Sequence, residues 1–276
     1  MKVSEIKQVI AEYGLHPNKK LGQNFLVSDD FLNRIMIAMD ISAGDRVLEI
    51  GPGLGALTER LVERAGHVTA VEIDSGFSRF LSGRLGARGN FSLVHGDFLK
   101  CPPDGPFTKI VSNLPYYCSS EMLFAMTSYD ARFAYVMLQK ELADRIVALP
   151  GEPAYGALSV TLGLYYETEV ICRVPRESFY PRPEVTSSFL RLTRRASLEL
   201  DGAGREAFHA LVKSAFWGRR KTLLRALSDS PHLSLGRKDA AAILAEAGLD
   251  GGRRGEELDR GSFAALARAY QKIVES

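Results

Sequence analysis

Asp45-Arg-Val-Leu-Glu-Ile-Gly-Pro-Gly-Leu-Gly55 decides the fold. Asp45–Ile50 reads as a strand, with Val47, Leu48 and Ile50 apolar. It runs straight into three glycines, Gly51, Gly53 and Gly55. After them Leu57, Leu61 and Val62 recur at helical spacing over Ala56–Ala65. A glycine turn between a strand and a helix lets backbone approach a ligand closely, with the helix N-terminus beneath it. His67-Val-Thr-Ala-Val-Glu-Ile73 is the next strand. It places Glu72 about twenty residues beyond the glycines, where an acid bonds ribose hydroxyls. Nicotinamide, flavin and S-adenosylmethionine sites all use this pairing. The dinucleotide form is spaced G-x-G-x-x-G and tolerates Ala at its last position, here Ala56. Spacing leaves these ligands open.

Further outward, Phe91–His95, Phe107–Ser112 and Ala134–Leu138 read as strands. Segments 78–85, 120–128 and 140–148 read as helices between and after them. The alternation predicts a parallel sheet with helices on both faces. Upstream, residues 4–13 and Asp29–Asp40 carry amphipathic helical patterns. Downstream come two apolar runs, 160–166 and 168–174. Ser187–Thr193 then reads as an antiparallel edge strand. Arg194–Gly204 shifts to small and polar residues and reads as a linker. Beyond it only helices are expected, near 205–216, 219–228, 238–247 and 262–273, the last capped by Ser262. The fold class is therefore α/β, with a Rossmann-like domain over residues 1–198 and a small all-α domain over 199–276.

Composition narrows the class. The 276 residues suit one large and one smaller domain, and 46% hydrophobic with 25% charged content is that of a globular protein. No run is long and apolar enough to suggest a membrane span, and the first residues lack a signal peptide's apolar core. A cytoplasmic location is expected. Cys101, Cys118 and Cys172 fit neither a disulfide framework nor a metal site, and the five His show no ligand spacing, so no metal is expected. Cys118 reads as a packed thiol rather than a nucleophile. A net charge of +2 means that nucleic-acid binding would need local basic patches.

The strand ends carry the chemistry. Asp97 closes the third strand, where a carboxylate can accept from an adenine amino group. The fourth strand delivers Asn113-Leu114-Pro115-Tyr116 to the same sheet edge. An Asn carboxamide and a backbone carbonyl can each accept a proton from an exocyclic amine. Pro115 fixes φ and presents the Leu114 carbonyl. Tyr116 offers a flat face for a flipped base. An ordinary strand-end turn would use the same Asn and Pro. Four consecutive strands nevertheless bring Gly51, Glu72, Asp97 and Asn113 around one crevice.

The chain resembles the ribosomal RNA adenine dimethyltransferases of the small-subunit type over nearly its whole length. The resemblance rests on Lys20-Leu-Gly-Gln-Asn-Phe-Leu26, Glu49–Gly55, Val71–Asp74, Gly96-Asp97 and Ser112–Tyr117. It continues through Met137–Glu141, Ala154–Val160, Phe179–Val185 and Arg219–Thr222. The related 23S rRNA enzymes of the macrolide-resistance type share the core. Leu138–Glu141, the Ala-Tyr-Gly stretch and Arg219–Thr222 look more like the small-subunit family. The resemblance implies a class I methyltransferase sheet using S-adenosylmethionine. Asn24 and Leu26 would meet the methionine end of the donor and Gly51 would lie against it, with Gly53 in the same turn. Glu72 would hold the ribose and Asp97 the adenine amino group, with Asn113 between donor and acceptor. Phe179 would face Tyr116 across the base. Cys118 departs from the aliphatic residue expected there.

The implied reaction is N6,N6-dimethylation of two adjacent adenosines near the 3′ end of 16S rRNA, within an immature 30S subunit. A linked role in subunit maturation and a monomeric state are expected. Arg219, Arg220 and Lys221, with Arg145, are the expected phosphate contacts, the first three forming a basic patch around Trp217. An assembly checkpoint without need of catalysis is a second reading. A DNA adenine methyltransferase, whose loop usually begins with Asp, is a third. A nicotinamide oxidoreductase is more distant, since no proton donor is supplied.

Overall fold

The computed structural model describes residues 1, 3–15, 23–115, 117–218 and 220–274. The first half of the chain forms α1 (Val3–Glu12), β1 (Phe25–Leu26), α2 (Asp29–Met39), β2 (Arg46–Ile50), α3 (Thr58–Val62), β3 (His67–Glu72), α4 (Ser75–Leu85) and β4 (Phe91–His95). Next come β5 (Lys109–Asn113), α5 (Ser119–Met126), β6 (Phe133–Gln139), α6 (Lys140–Val147), α7 (Ala157–Tyr165) and β7 (Tyr166–Val174). Then follow β8 (Phe179–Tyr180), β9 (Ser187–Arg194), α8 (Gly202–Trp217), α9 (Leu223–Ser228), α10 (Arg237–Glu246) and α11 (Arg260–Val274).

The main sheet has seven strands in the order β4-β3-β2-β5-β6-β9-β7. β4, β3, β2, β5 and β6 pair in parallel. β9 runs antiparallel to β6, from Phe133↔Thr193 to Gln139↔Ser187. Strands covered on both faces need apolar residues at consecutive positions rather than alternation. β2 meets this with Val47, Leu48 and Ile50 all buried. The chain steps from β2 toward β3 and β4 on one side, then returns to β5 and β6 on the other. That reversal opens a crevice beyond the carboxyl ends of β2 and β5.

A charge cluster ties the opposite ends of β2 and β5. Lys109 Nζ donates to Asp45 at 2.9 Å and to the Asp40 carbonyl at 2.6 Å. Ser42 N–H and Thr108 Oγ1 complete the Asp45 carboxylate. Burial alone would raise this carboxyl, but the bonds from Lys109, Ser42 and Thr108 hold it below the usual range. Local caps agree with the sequence elsewhere. Ser28 accepts from Phe31 N–H to start α2, and Asp74 accepts from Gly76 and Phe77 N–H to start α4.

The chain separates into two compact units: Met1–Ala143 with Thr168–Arg194, and Asp144–Glu167 with Arg195–Ser276. The sequence suggested one cut near 198. Residues 144–167 group instead with the C-terminal helices, for local reasons. Tyr155 donates to the Leu258 carbonyl at 2.7 Å, Arg195 Nε to the Gly163 carbonyl at 2.9 Å, and Tyr165 meets His209 at 2.8 Å. In this unit α8 and α11 pack around Phe208, Leu211, Phe263 and Leu266, all fully buried.

Three expectations change. Ser187–Arg194 is not an edge strand: β9 lies between β6 and β7, and its Phe189, Leu190 and Leu192 are buried. β7 takes the edge. The helix expected over 56–65 shrinks to Thr58–Val62, with residues 56–57 and 63–64 forming turns at its two ends. The last helix begins at Arg260, and Asp259 rather than Ser262 is its cap, accepting from Ser262 N–H at 2.7 Å. No helix among the described residues is long and apolar enough to cross a membrane.

Candidate active site

Beyond the carboxyl ends of β2, β3 and β5 lies a cavity of about 210 Å³. Asn24, Leu26, Gly51, Gly53, Glu72, Asp97, Asn113 and Pro115 all line it. The sequence had placed Gly51, Glu72, Asp97 and Asn113 around one crevice, and these four line the cavity together; Asn24 and Leu26, which only the resemblance had put there, line it as well.

The glycine turn forms one wall. Gly51 has φ +71°, and no atom lies within 4 Å of where a Cβ would sit, so its backbone borders open space. Gly53 has φ +57°, and a Cβ there would lie 2.9 Å from the Phe25 ring. Glycine is thus required twice over at 53, by conformation and by the approach of β1. Glu72 fixes the turn from the neighbouring strand. Its carboxylate accepts from Gly53 N–H and from Asp74 N–H, each at 2.9 Å. Burial pushes the Glu72 carboxyl up, and these two N–H bonds offset part of the rise. Asp97 is half-buried at the end of β4 and accepts from Leu99 N–H at 3.0 Å.

Asn113 ends β5 in a defined orientation. Its Nδ2 donates to the Asn24 carbonyl at 2.9 Å. That bond uses an amide proton on the N-terminal strap and makes Oδ1 the acceptor end. Leu114 N–H is held by the Met137 carbonyl at 2.9 Å. The Pro115 carbonyl accepts from Ser119 Oγ at 2.7 Å, which ties the loop to α5. Leu114 is itself buried. Tyr116 and Arg219 fall outside the described residues.

Phe179, which the resemblance set opposite Tyr116, has that partner outside the described residues. It is buried, pairs with Leu26 in the β1–β8 ladder, and is not part of the cavity lining. Alternation along this two-residue strand turns Phe179 into the core and leaves Tyr180 half-buried, with Lys7 5.8 Å above its ring. Phe179 therefore backs the strap through Leu26. Cys118 is buried and lines the cavity, and burial pushes its thiol up, as a packed thiol requires.

Glu49 was overlooked. It sits one residue before the end of β2 and lines the cavity while 3% exposed. Its Oε2 is buried with no partner among the described residues. Burial raises its carboxyl to about 8, and the Glu72 charge adds to the rise. The available signal was an acid inside an otherwise apolar strand, immediately before the glycines. Phe25 was also overlooked. Its ring packs edge-on against Phe77 at 5.3 Å while bordering the cavity.

S-adenosylmethionine fits this lining. A donor with net positive charge meets the acids Glu72 and Asp97, and beside them Glu49, whose ionised form such a cation would favour. The orphaned Glu49 oxygen can take a cationic partner, and the bare Gly51 backbone leaves room that a Cβ would fill. The strand order, the glycine turn and the acid ending β3 define a Rossmann-like methyltransferase. The family model for ribosomal RNA adenine dimethylase matches residues 14–272. The chain belongs to that family, and is an S-adenosylmethionine-dependent rRNA adenine dimethyltransferase.

Among its relatives, the ribosomal RNA small subunit methyltransferase A of Moorella thermoacetica is 41% identical, over 95% of this chain and 96% of that protein. The protein of the same name from Pelotomaculum thermopropionicum is 39% identical, over 96% and 95% respectively. A dimethyladenosine transferase from Plasmodium falciparum superposes with a TM-score of 0.78 at 27% identity, covering 90% of this chain and 98% of that one. The 23S rRNA methyltransferase ErmE gives 0.69 at 30% identity, covering 89% and 98%.

Proposed function

We propose that this enzyme dimethylates N6 of two adjacent adenosines near the 3′ end of 16S rRNA, within an immature 30S subunit. The small-subunit substrate is favoured by the names of the full-length relatives. The observation that carries the chemistry is the Asn113 carboxamide, held by the Asn24 carbonyl on the wall of the acid-lined cavity. The protein acts as a monomer in the cytoplasm and also contributes to subunit maturation.

The adenine amino lone pair is delocalised into the ring and must be freed before it can attack. Asn113 Oδ1 and the Leu114 carbonyl accept the two N6 protons and leave the lone pair free to point at the methyl. When bound, S-adenosylmethionine supplies that methyl already activated on a sulfonium. The residues therefore contribute orientation and electrostatics rather than proton abstraction. The alkylated nitrogen is cationic and acidic, so its proton leaves to water without a general base. Tyr116 stacks on the extruded base, a contact worth roughly 1–3 kcal/mol. Glu72 holds the ribose hydroxyls and Asp97 the adenine of the donor. Asn24, Leu26, Gly51 and Gly53 shape the cavity around its methionine end. Phe179 supports this arrangement by fixing Leu26.

Arg219, Arg220, Lys221 and Arg145 position the phosphate backbone. Arg145 and Arg220 are exposed, as this requires. Dimethylation at N6 abolishes Watson–Crick pairing, so reverse transcriptase halts at each product nucleotide. Unmethylated small subunits treated with enzyme and donor should give stops at two adjacent adenosines near the 3′ end. Stops elsewhere, or no stops at all, would overturn this assignment.

A further inference from the structure

Trp217 is the only tryptophan of the chain. It ends α8 with 47% of its surface exposed, an unusual position for a large aromatic. Lys213 lies four residues earlier, on the same face of α8, and is exposed. Lys221 Nζ stands 4.5 Å from the indole centroid and bonds Asp229 at 3.0 Å, so the ring is held rather than loose. Arg220 and Arg225, both exposed, add two more cations within eight residues of the indole in the chain. Cations alone would serve phosphate contacts. They give no reason to display a fixed indole in water.

We propose that Trp217 is a stacking platform for an unpaired base of the ribosomal RNA, set within the phosphate-binding patch. This rests on the patch reading above and adds to it a contact with a base. Single-stranded RNA offers phosphates and flat rings at alternating positions, which matches cations beside one aromatic face. An acidic peptide would match the charge but not the ring. Trp217 thus gives this surface a preference for unpaired over duplex RNA, which lysines and arginines alone cannot give.

Fluorescence excited at the red edge of the indole band, where the ten tyrosines do not absorb, reads this residue alone. The full-length protein is titrated at low salt with a short unstructured oligoadenylate, the same oligomer in a duplex, and inorganic polyphosphate. Emission should be quenched by the single strand, less by the duplex, and little by polyphosphate. Trp217→Ala should weaken single-strand binding about tenfold, leave polyphosphate binding unchanged, and be largely rescued by Trp217→Phe. Equal quenching by polyphosphate, or unchanged single-strand binding in Trp217→Ala, would overturn the stacking role. If Arg220→Glu with Lys221→Glu still weakens both polyanions, the patch reading survives that failure. If it weakens neither, the patch reading falls as well.

Discussion

Asn113 can serve an amine acceptor only if its oxygen faces the base. The Asn24 carbonyl enforces this by accepting from Nδ2. Asn113→Ala should leave donor affinity nearly intact while turnover falls by about 10²–10³, the scale of a lost preorganised polar contact. Calorimetry beside a transfer assay separates the two. Near-normal turnover would remove the acceptor role. Glu49 makes a second residue-scale prediction. Its carboxyl is raised to about 8 in the folded chain, above its unfolded value. The folded state therefore holds a proton that the unfolded state has lost over this interval. Stability should be greatest below the unfolded pKa and decline as pH rises toward about 8, other groups being equal. Glu49→Gln should flatten that decline in denaturant melts taken across the range, and an unchanged slope would contradict it. The positions of Glu72, Asp97 and Asn113 on one rim could be read from sequence because each lies at a strand end, and strand ends share an edge. Glu49 and Phe25 could not, because their part depends on which face of β2 and β1 meets the cavity.

At the scale of elements, the sheet's two ends do different work. One end is pinned by Lys109 and Asp45, each with 10% of its side chain exposed. Lys109→Met leaves the Asp45 carboxylate buried without its partner, a loss of about 3–5 kcal/mol. Chemical denaturation should show it, and a change below 1 kcal/mol would deny the pair its structural role. The other end carries the glycine turn. Gly53→Ala meets both a positive φ and the Phe25 ring. It should abolish donor binding while retaining the cooperative melt. Parallel strands were readable because full burial writes continuous apolar runs, as in Ala134–Leu138. The place of β9 was not, because edge and interior differ by pairing partners that a linear pattern does not encode. Ala157–Tyr165 became a helix under the same difficulty: its residues are apolar on most sides, which gives no period to read.

For the whole molecule, a donor cavity and a cationic helical surface belong to separate compact units. Net charge near zero confines RNA attraction to local patches. Arg220→Glu with Lys221→Glu should weaken binding to small subunits and lower the salt dependence of what remains. Binding unchanged at low salt would exclude the patch. The account as a whole stands on methyl transfer at the cavity beyond β2 and β5. Its most direct test is tritium transfer from labelled S-adenosylmethionine to small subunits lacking the modification, with wild-type enzyme and Asn113→Ala in parallel. The account predicts label in the adenosines of the small-subunit RNA with the wild type and almost none with the variant. Equal labelling by both, or none by either, would contradict it.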